Sequence, residues 1–189
     1  MVIVTFEGFT LPSRYIVQEC TVYFENSYQH FTFQPPPDFI PDGKDLKTIS
    51  YASENLNKLT YYNDSLLPYS MLTTILTELS SQTVYCSGNS ATKLLRKTLP
   101  LTKIINVNLN YRFKYPDSLP YISCGIDHCV RYCSLAKASY IRKYLKTCGT
   151  MEDYENKIRG GTMEEYEKNI RVGAMEDYEK QFREDIEFI

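Results

Sequence analysis

Residues 2–34, VIVTFEGFTLPSRYIVQECTVYFENSYQHFTFQ, contain three runs rich in β-branched and aromatic side chains, at 2–9, 15–24 and 29–34. Short polar turns separate these runs, the second of them at 25–27. Runs of this composition and length, joined by short turns, are typical of neighbouring antiparallel strands. The sequence therefore predicts a three-stranded meander at the start of the chain.

The pattern changes after residues 34–43, QPPPDFIPDG, because proline has no N–H to continue a sheet. Residues 51–60 and 68–80 have helical spacing, 83–88 and 103–109 look like strands, and 89–99 looks like a helix capped by Asn89 or Ser90. The apolar spacing in residues 132–145 predicts a further helix there. The resulting order, β-β-β-α-α-β-α-β-α, favours an α/β fold with a mixed sheet flanked by helices.

Two of the predicted helices have a clear apolar side. In 68–80 it consists of Met71, Leu72, Ile75, Leu76 and Leu79, and in 132–145 of Leu135, Ala138, Ile141 and Leu145. We expect these side chains to face the core.

The chain has 189 residues, of which 43% are hydrophobic and 23% charged, enough for one core of ordinary size with an appendage. It has no apolar run of about 18 residues, and its first residues, MVIVTFEGF, lack a basic region and a cleavage site. We therefore expect an intracellular protein of the cytoplasm or nucleus, neither secreted nor membrane-bound. Its thiols are then expected to be reduced or metal-bound.

The last 40 residues form an acidic tandem repeat with a period of 12 residues: TMEDYENKIRGG (150–161), TMEEYEKNIRVG (162–173) and AMEDYEKQFRED (174–185). Residues 150–189 carry six Lys/Arg and twelve Asp/Glu, a net charge of −6, which leaves +4 on residues 1–149. The apolar spacing within each unit predicts a short amphipathic helix, and glycines separate the three units. A loosely helical tail at 150–189 is favoured over a dedicated array for binding a protein partner.

Residues 122–138, ISCGIDHCVRYCSLAKA, hold three of the six cysteines and one of the two histidines, just before the last helix. With the order of elements, this stretch resembles the ribonuclease-H-like exonucleases of the DEDDh class. That class carries Asp-x-Glu in its first strand, a second aspartate in a middle element and His-x4-Asp at the last helix, and together these hold two magnesium ions.

Most of those acids are missing. The first-strand motif reads Thr5-Phe6-Glu7, residues 88–95 contain no acid, and the last motif reads His128-x4-Cys133. The resemblance therefore implies the frame of the exonucleases without their magnesium chemistry, and no bound magnesium is expected.

Thiolate and imidazole ligands favour zinc instead. Cys124, His128 and Cys133 would supply three ligands, and Glu19, an acid in an apolar part of the second strand, is the candidate fourth. Strand alternation sends Glu19 and Cys20 to opposite faces of the sheet. This set is similar to the Glu-Cys-His-Cys zinc site of the Maelstrom domain.

The Maelstrom resemblance covers roughly residues 1–146 and departs from that family in the spacing of Cys124 and His128. It implies a structural zinc site, binding of single-stranded RNA and a role in small-RNA-guided (piRNA) transposon silencing. Other readings of the residues stay open: the thiols as small buried hydrophobes, Cys129 in place of Cys124, and a structural His30.

Three functions are compatible with these residues. A catalytically degenerate domain would bind RNA or a protein partner through basic positions at Lys93, Arg96 and Lys97, or at Lys137, Arg142 and Lys143. An active nuclease with non-standard residues would retain Glu7 and His128. An interaction protein would work through the acidic repeats. The first is favoured, and we expect no conventional nuclease activity.

Overall fold

A computed structural model describes residues 1–12, 14–59, 61, 66–110, 113–119, 122, 124 and 133–147. Five strands of this part of the chain form one sheet in the order β3-β2-β1-β4-β5. Strands β1 (Val2–Thr10), β2 (Tyr15–Tyr23) and β3 (Tyr28–Thr32) are antiparallel, while β4 (Val84–Cys86) and β5 (Ile104–Asn106) extend the sheet parallel to β1. The predicted meander and mixed α/β class are confirmed.

The helices lie between and after these strands. They are α1 (Gly43–Tyr51), which continues as a π-helical turn at Ala52–Leu56, α2 (Ser70–Thr77), α3 (Asn89–Thr98) and α4 (Ser134–Thr147). A short 3₁₀ helix at Val107–Leu109 follows β5. The repeat tail at 150–189 lies outside the described residues. Within the described ranges, no helix is long and apolar enough to cross a membrane.

Three local predictions are wrong. The helix expected at 51–60 starts earlier, because the Asp42 side chain accepts hydrogen bonds of 2.8 Å from the amides of Lys44 and Asp45 and so caps α1 at Gly43. Helix α3 is preceded by Gly88, at φ +92°, and not by a side-chain cap from Asn89 or Ser90. Met71 is 39% exposed, unlike the other four residues of its predicted face, which are buried.

The two faces of the sheet are covered by different helices. On one face, Val4, Phe6, Cys20 and Val22 pack with apolar residues of α2 and α3 in the main core. On the other face α4 lies across β1 and β2, and its predicted inward residues, Leu135, Ala138, Ile141 and Leu145, are all buried. Glu19 and Cys20 do lie on opposite faces, as strand alternation requires.

A β-bulge interrupts the pairing of β1 with β2. Glu7 pairs with Glu19, but the next residue, Gly8, pairs with Val17, which leaves Gln18 as the extra residue. Gly8 lies so close to the carbonyl oxygen of Ile16 that a Cβ atom has no room there. Glu7 and Glu19 thus lie side by side immediately before the bulge, next to Gly8, where only glycine fits.

Candidate metal centre at the start of the last helix

A buried polar cluster joins the start of α4 to the sheet, and we call it the Ser134 cluster. It consists of Thr5 on β1, Glu19 and Thr21 on β2, His30 on β3, and Ser134 itself. Strand alternation produces it, because all four sheet residues face α4.

Ser134 bonds to the sheet through its backbone and its side chain. Its carbonyl oxygen accepts a 2.6 Å hydrogen bond from Thr5 Oγ1, and its amide donates to Glu19 Oε2 at 3.1 Å. Its Oγ lies 2.8 Å from Thr21 Oγ1, and that hydroxyl lies 2.8 Å from His30 Nδ1. These bonds fix the first turn of α4 against three strands.

Glu19 is fully buried, whereas the sequence alone does not show whether this strand residue faces solvent or the interior. Burial raises the pKa of its carboxyl to about 7, although the hydrogen bond from the Ser134 amide opposes the shift. A carboxylate in this position caps the N-terminus of α4, where the helix dipole favours negative charge. Glu19 is therefore an interior group aimed at the start of the helix and not an exposed strand residue.

Cys124 and Cys133, which we call the thiol pair, meet at the same end of α4. Cys133 is buried and packs with Leu119, Leu135 and Ala136, and Cys124 packs against this group. Burial raises the pKa of Cys133 to about 12, although its sulfur accepts a hydrogen bond from the Ala136 amide. The nearby Glu19 and Cys124 raise the pKa of Cys133 further. The Cys133 thiol is thus held neutral unless a cation binds to it.

Three of the four predicted zinc ligands, Glu19, Cys124 and Cys133, therefore come to one end of α4. The fourth, His128, lies outside the described residues, as does the alternative ligand Cys129. Among the residues that are described, no three His, Cys, Asp or Glu side chains are arranged to hold a metal ion by themselves. The donor chemistry fits zinc, and a bound cation would hold Cys133 as the thiolate. Glu19, Cys124 and Cys133 would have to draw closer together, and His128 join them, to hold an ion.

Glu7, the remaining acid of the first-strand motif, forms an ion pair with Lys137 of α4. Glu7 is 8% exposed, and burial raises the pKa of its carboxyl to about 6, although the Lys137 ammonium opposes the shift. The ammonium also lies over the ring of Tyr115, 5.9 Å from its centroid. Glu7 therefore already has a cationic partner, supplied by the chain itself.

The predicted basic positions do not form one surface. Lys93, Arg96 and Lys97 are exposed on α3, on the opposite face of the sheet from α4. On α4, Arg142 donates to the carbonyl oxygen of Glu25 at 2.6 Å and lies 5.2 Å from the ring centroid of Tyr23. Lys143 is exposed beside a shallow cavity of about 530 Å³ that also touches Tyr140. The basic group on α3 is thus the more continuous of the two.

Sequence reasoning missed Ser134, Thr21 and the pairing role of Lys137. The alternation of the strands could have revealed a polar face. Thr5 and Glu7 on β1, and Glu19 and Thr21 on β2, fall on one face of the sheet and need polar partners such as Ser134 there. Lys137 follows Cys133 by four residues, so both lie on the same side of α4.

No family model, curated protein or solved structure matches the chain. The fold and the site define it as a mixed α/β domain whose last helix is docked on the sheet through buried polar groups and a thiol pair.

Proposed function

We propose that residues 1–146 form a catalytically inactive ribonuclease-H-like domain with a structural zinc site, and that the domain binds single-stranded RNA. The observation that carries the proposal is the meeting of Glu19, Cys124 and Cys133 at the start of α4. An antiparallel meander that continues into parallel strands through helical connections supports the fold class.

Zinc is supported by the state of the buried groups. Two neighbouring thiols and a buried carboxylate next to a helix N-terminus are donors that a divalent cation would stabilise together. Glu19, Cys124, Cys133 and His128 would hold the ion in a closed, four-coordinate structural site. Zinc would then tie α4 to β2 and stabilise the fold.

Loss of magnesium catalysis is supported by the two acid positions of β1. Thr5 occupies the place of the first aspartate of the exonuclease motif and uses its hydroxyl to hold Ser134. Glu7 is paired with Lys137, so an ammonium stands where a metal ion would need the carboxylate. The alternative of an active nuclease that uses Glu7 and His128 is disfavoured for this reason.

RNA binding is supported by the charge on α3. Its three cationic side chains, Lys93, Arg96 and Lys97, are all exposed, and the helix contains no acidic residue. Such a helix attracts phosphates without reading sequence. Arg142 is the weaker candidate because its guanidinium is engaged with Glu25 and Tyr23.

Metal content tests the zinc site. We expect purified protein to carry one zinc per chain, and Cys133→Ala to lose both the metal and thermal stability. Cys86→Ala is the matched control, because Cys86 is also a buried thiol but lies in the main core on the other face. Equal zinc content in the two variants would exclude Cys133 as a ligand.

Binding and cleavage assays test the rest. We expect single-stranded RNA to bind with an affinity that falls as salt rises, and to survive incubation with magnesium or manganese. Lys93→Ala/Arg96→Ala/Lys97→Ala should weaken binding, whereas Lys44→Ala/Lys47→Ala, which removes exposed lysines of α1, should not. Metal-dependent RNA degradation that is lost in Glu7→Gln would establish the nuclease alternative instead.

A further inference from the structure

The thiol pair has a second chemistry that does not depend on zinc. Cys124 lies close enough to Cys133 to raise the pKa of the Cys133 thiol, and both lie against the same apolar group, Leu119, Leu135 and Ala136. Neither is in a disulfide, and the other two described cysteines, Cys20 and Cys86, are buried in the main core on the opposite face. The thiol pair is thus separate from the two cysteines of the main core.

The two thiols differ in access. Cys124 is partly exposed, whereas Cys133 is 2% exposed beneath it. A small oxidant can therefore reach Cys124 first, and Cys133 is then the sulfur in contact with the modified residue. An accessible thiol next to a resolving thiol is the arrangement of reversible redox sites.

We propose that Cys124 and Cys133 form a reversible disulfide by exchange with a low-molecular-weight disulfide such as oxidised glutathione. The Cys124 thiolate attacks one sulfur of the oxidant, which forms a mixed disulfide and releases one thiol molecule. Cys133 then passes its proton to the released thiolate and attacks the Cys124 sulfur, which closes the protein disulfide and releases the second thiol molecule. The two protein thiols lose two electrons and two protons, and both are recovered in the two released thiols.

This modification and the proposed zinc site exclude each other, because each needs both sulfurs. Only this exclusion rests on the proposed function: oxidation of zinc-loaded protein would release the metal that ties α4 to β2. The disulfide itself rests only on the contact between the two thiols, so it stands if the domain carries no zinc.

Mass spectrometry of full-length protein tests the proposal. Protein as purified is incubated with oxidised glutathione, alkylated and digested with trypsin, which cleaves after Arg131 and so separates the peptide with Cys124 and Cys129 from the peptide with Cys133. We expect a crosslink of Cys124 to Cys133 as the main product, reversed by dithiothreitol. The same treatment in urea is the control and should give mixed pairings among the six cysteines.

A Cys129→Ser variant should give the same crosslink, since Cys129 plays no part in it. A main crosslink between Cys129 and Cys133, a stable glutathione adduct on Cys124 that does not close, or native pairings no more selective than those in urea would each overturn the proposal. A second arm adds a colorimetric chelator to the protein as purified, so that released zinc is measured while the crosslink forms. Zinc released in step with the crosslink supports the mutual exclusion. If the purified protein contains no zinc and still forms the crosslink, the zinc site is rejected and the disulfide proposal stands.

Discussion

Thr5 Oγ1 donates a 2.6 Å hydrogen bond to the carbonyl oxygen of Ser134, 129 residues away in the chain. This side chain holds the start of α4 in place on the sheet. A carboxylate could not do the same, because it has no hydrogen to donate to a carbonyl oxygen when ionised.

Replacing Thr5 with valine keeps the shape of the side chain and removes the donor. We expect the free energy of unfolding to fall by about 1 kcal/mol, because the buried carbonyl oxygen of Ser134 loses its side-chain donor. Thr10→Val is the control, since Thr10 lies on the same strand but is exposed. Urea denaturation measures both, and equal stability of the two variants would contradict the role assigned to Thr5.

The raised pKa of Glu7 predicts a pH dependence. The folded carboxyl titrates near 6 and the unfolded one near 4.5, so the folded state binds more protons between these values. The contribution of Glu7 to the free energy of unfolding should therefore decrease by about 2 kcal/mol as the pH rises from 4.5 to above 6. Glu19, whose pKa is raised to about 7, adds a decrease of the same sign that continues to above pH 7.

Glu7→Gln should remove the Glu7 contribution and make the decrease between pH 4.5 and 6 shallower, while Glu25→Gln, at an exposed site, should leave the profile unchanged. Urea denaturation in chelator from pH 4 to 8 provides the measurement. A Glu7→Gln profile that parallels the wild type would show that the slope has another origin.

Removing the ammonium of Lys137 leaves the carboxylate of Glu7 buried without its ion-pair partner. We expect Lys137→Met to lower the free energy of unfolding by about 3 kcal/mol at pH 8, and by less at pH 5, where Glu7 is protonated. Thermal and urea denaturation at both pH values give the comparison, with Lys143→Met, at an exposed lysine of the same helix, as control.

The double variant Lys137→Met/Glu7→Gln should recover part of the loss, because no buried charge is then left alone. Additive effects of the two substitutions would mean that the pair is not coupled.

The bulge predicts an intolerant position at Gly8. A Cβ there would overlap the carbonyl oxygen of Ile16, so Gly8→Ala must shift β1 away from β2. We expect a loss of about 3 kcal/mol in the free energy of unfolding. Gly43→Ala is the matched control, because its Cβ would meet no atom within 4 Å and alanine favours a helix. A melting temperature for Gly8→Ala equal to that of Gly43→Ala would rule out the close contact.

Local patterns predicted much of the fold. The three β-rich runs became β1 to β3, and the apolar spacing of 132–145 identified the inward side chains of α4, because burial of a periodic apolar face is a local property. Where a side-chain contact decided the outcome, local patterns failed. Asp42 started α1 before the expected helix, and the exposed Met71 shows that the core covers a narrower side of α2 than its apolar residues suggest.

The sequence by itself determined which elements form and which acids are absent, since Thr5 and the acid-free stretch 88–95 can be read directly. Only the tertiary structure decided what the remaining polar groups do. Glu19 meets the Ser134 amide across 115 residues, and Lys137 meets Glu7 across 130. Such partners are brought together by the docking of α4 on the sheet, and a buried charge is tolerated only where that docking supplies its partner.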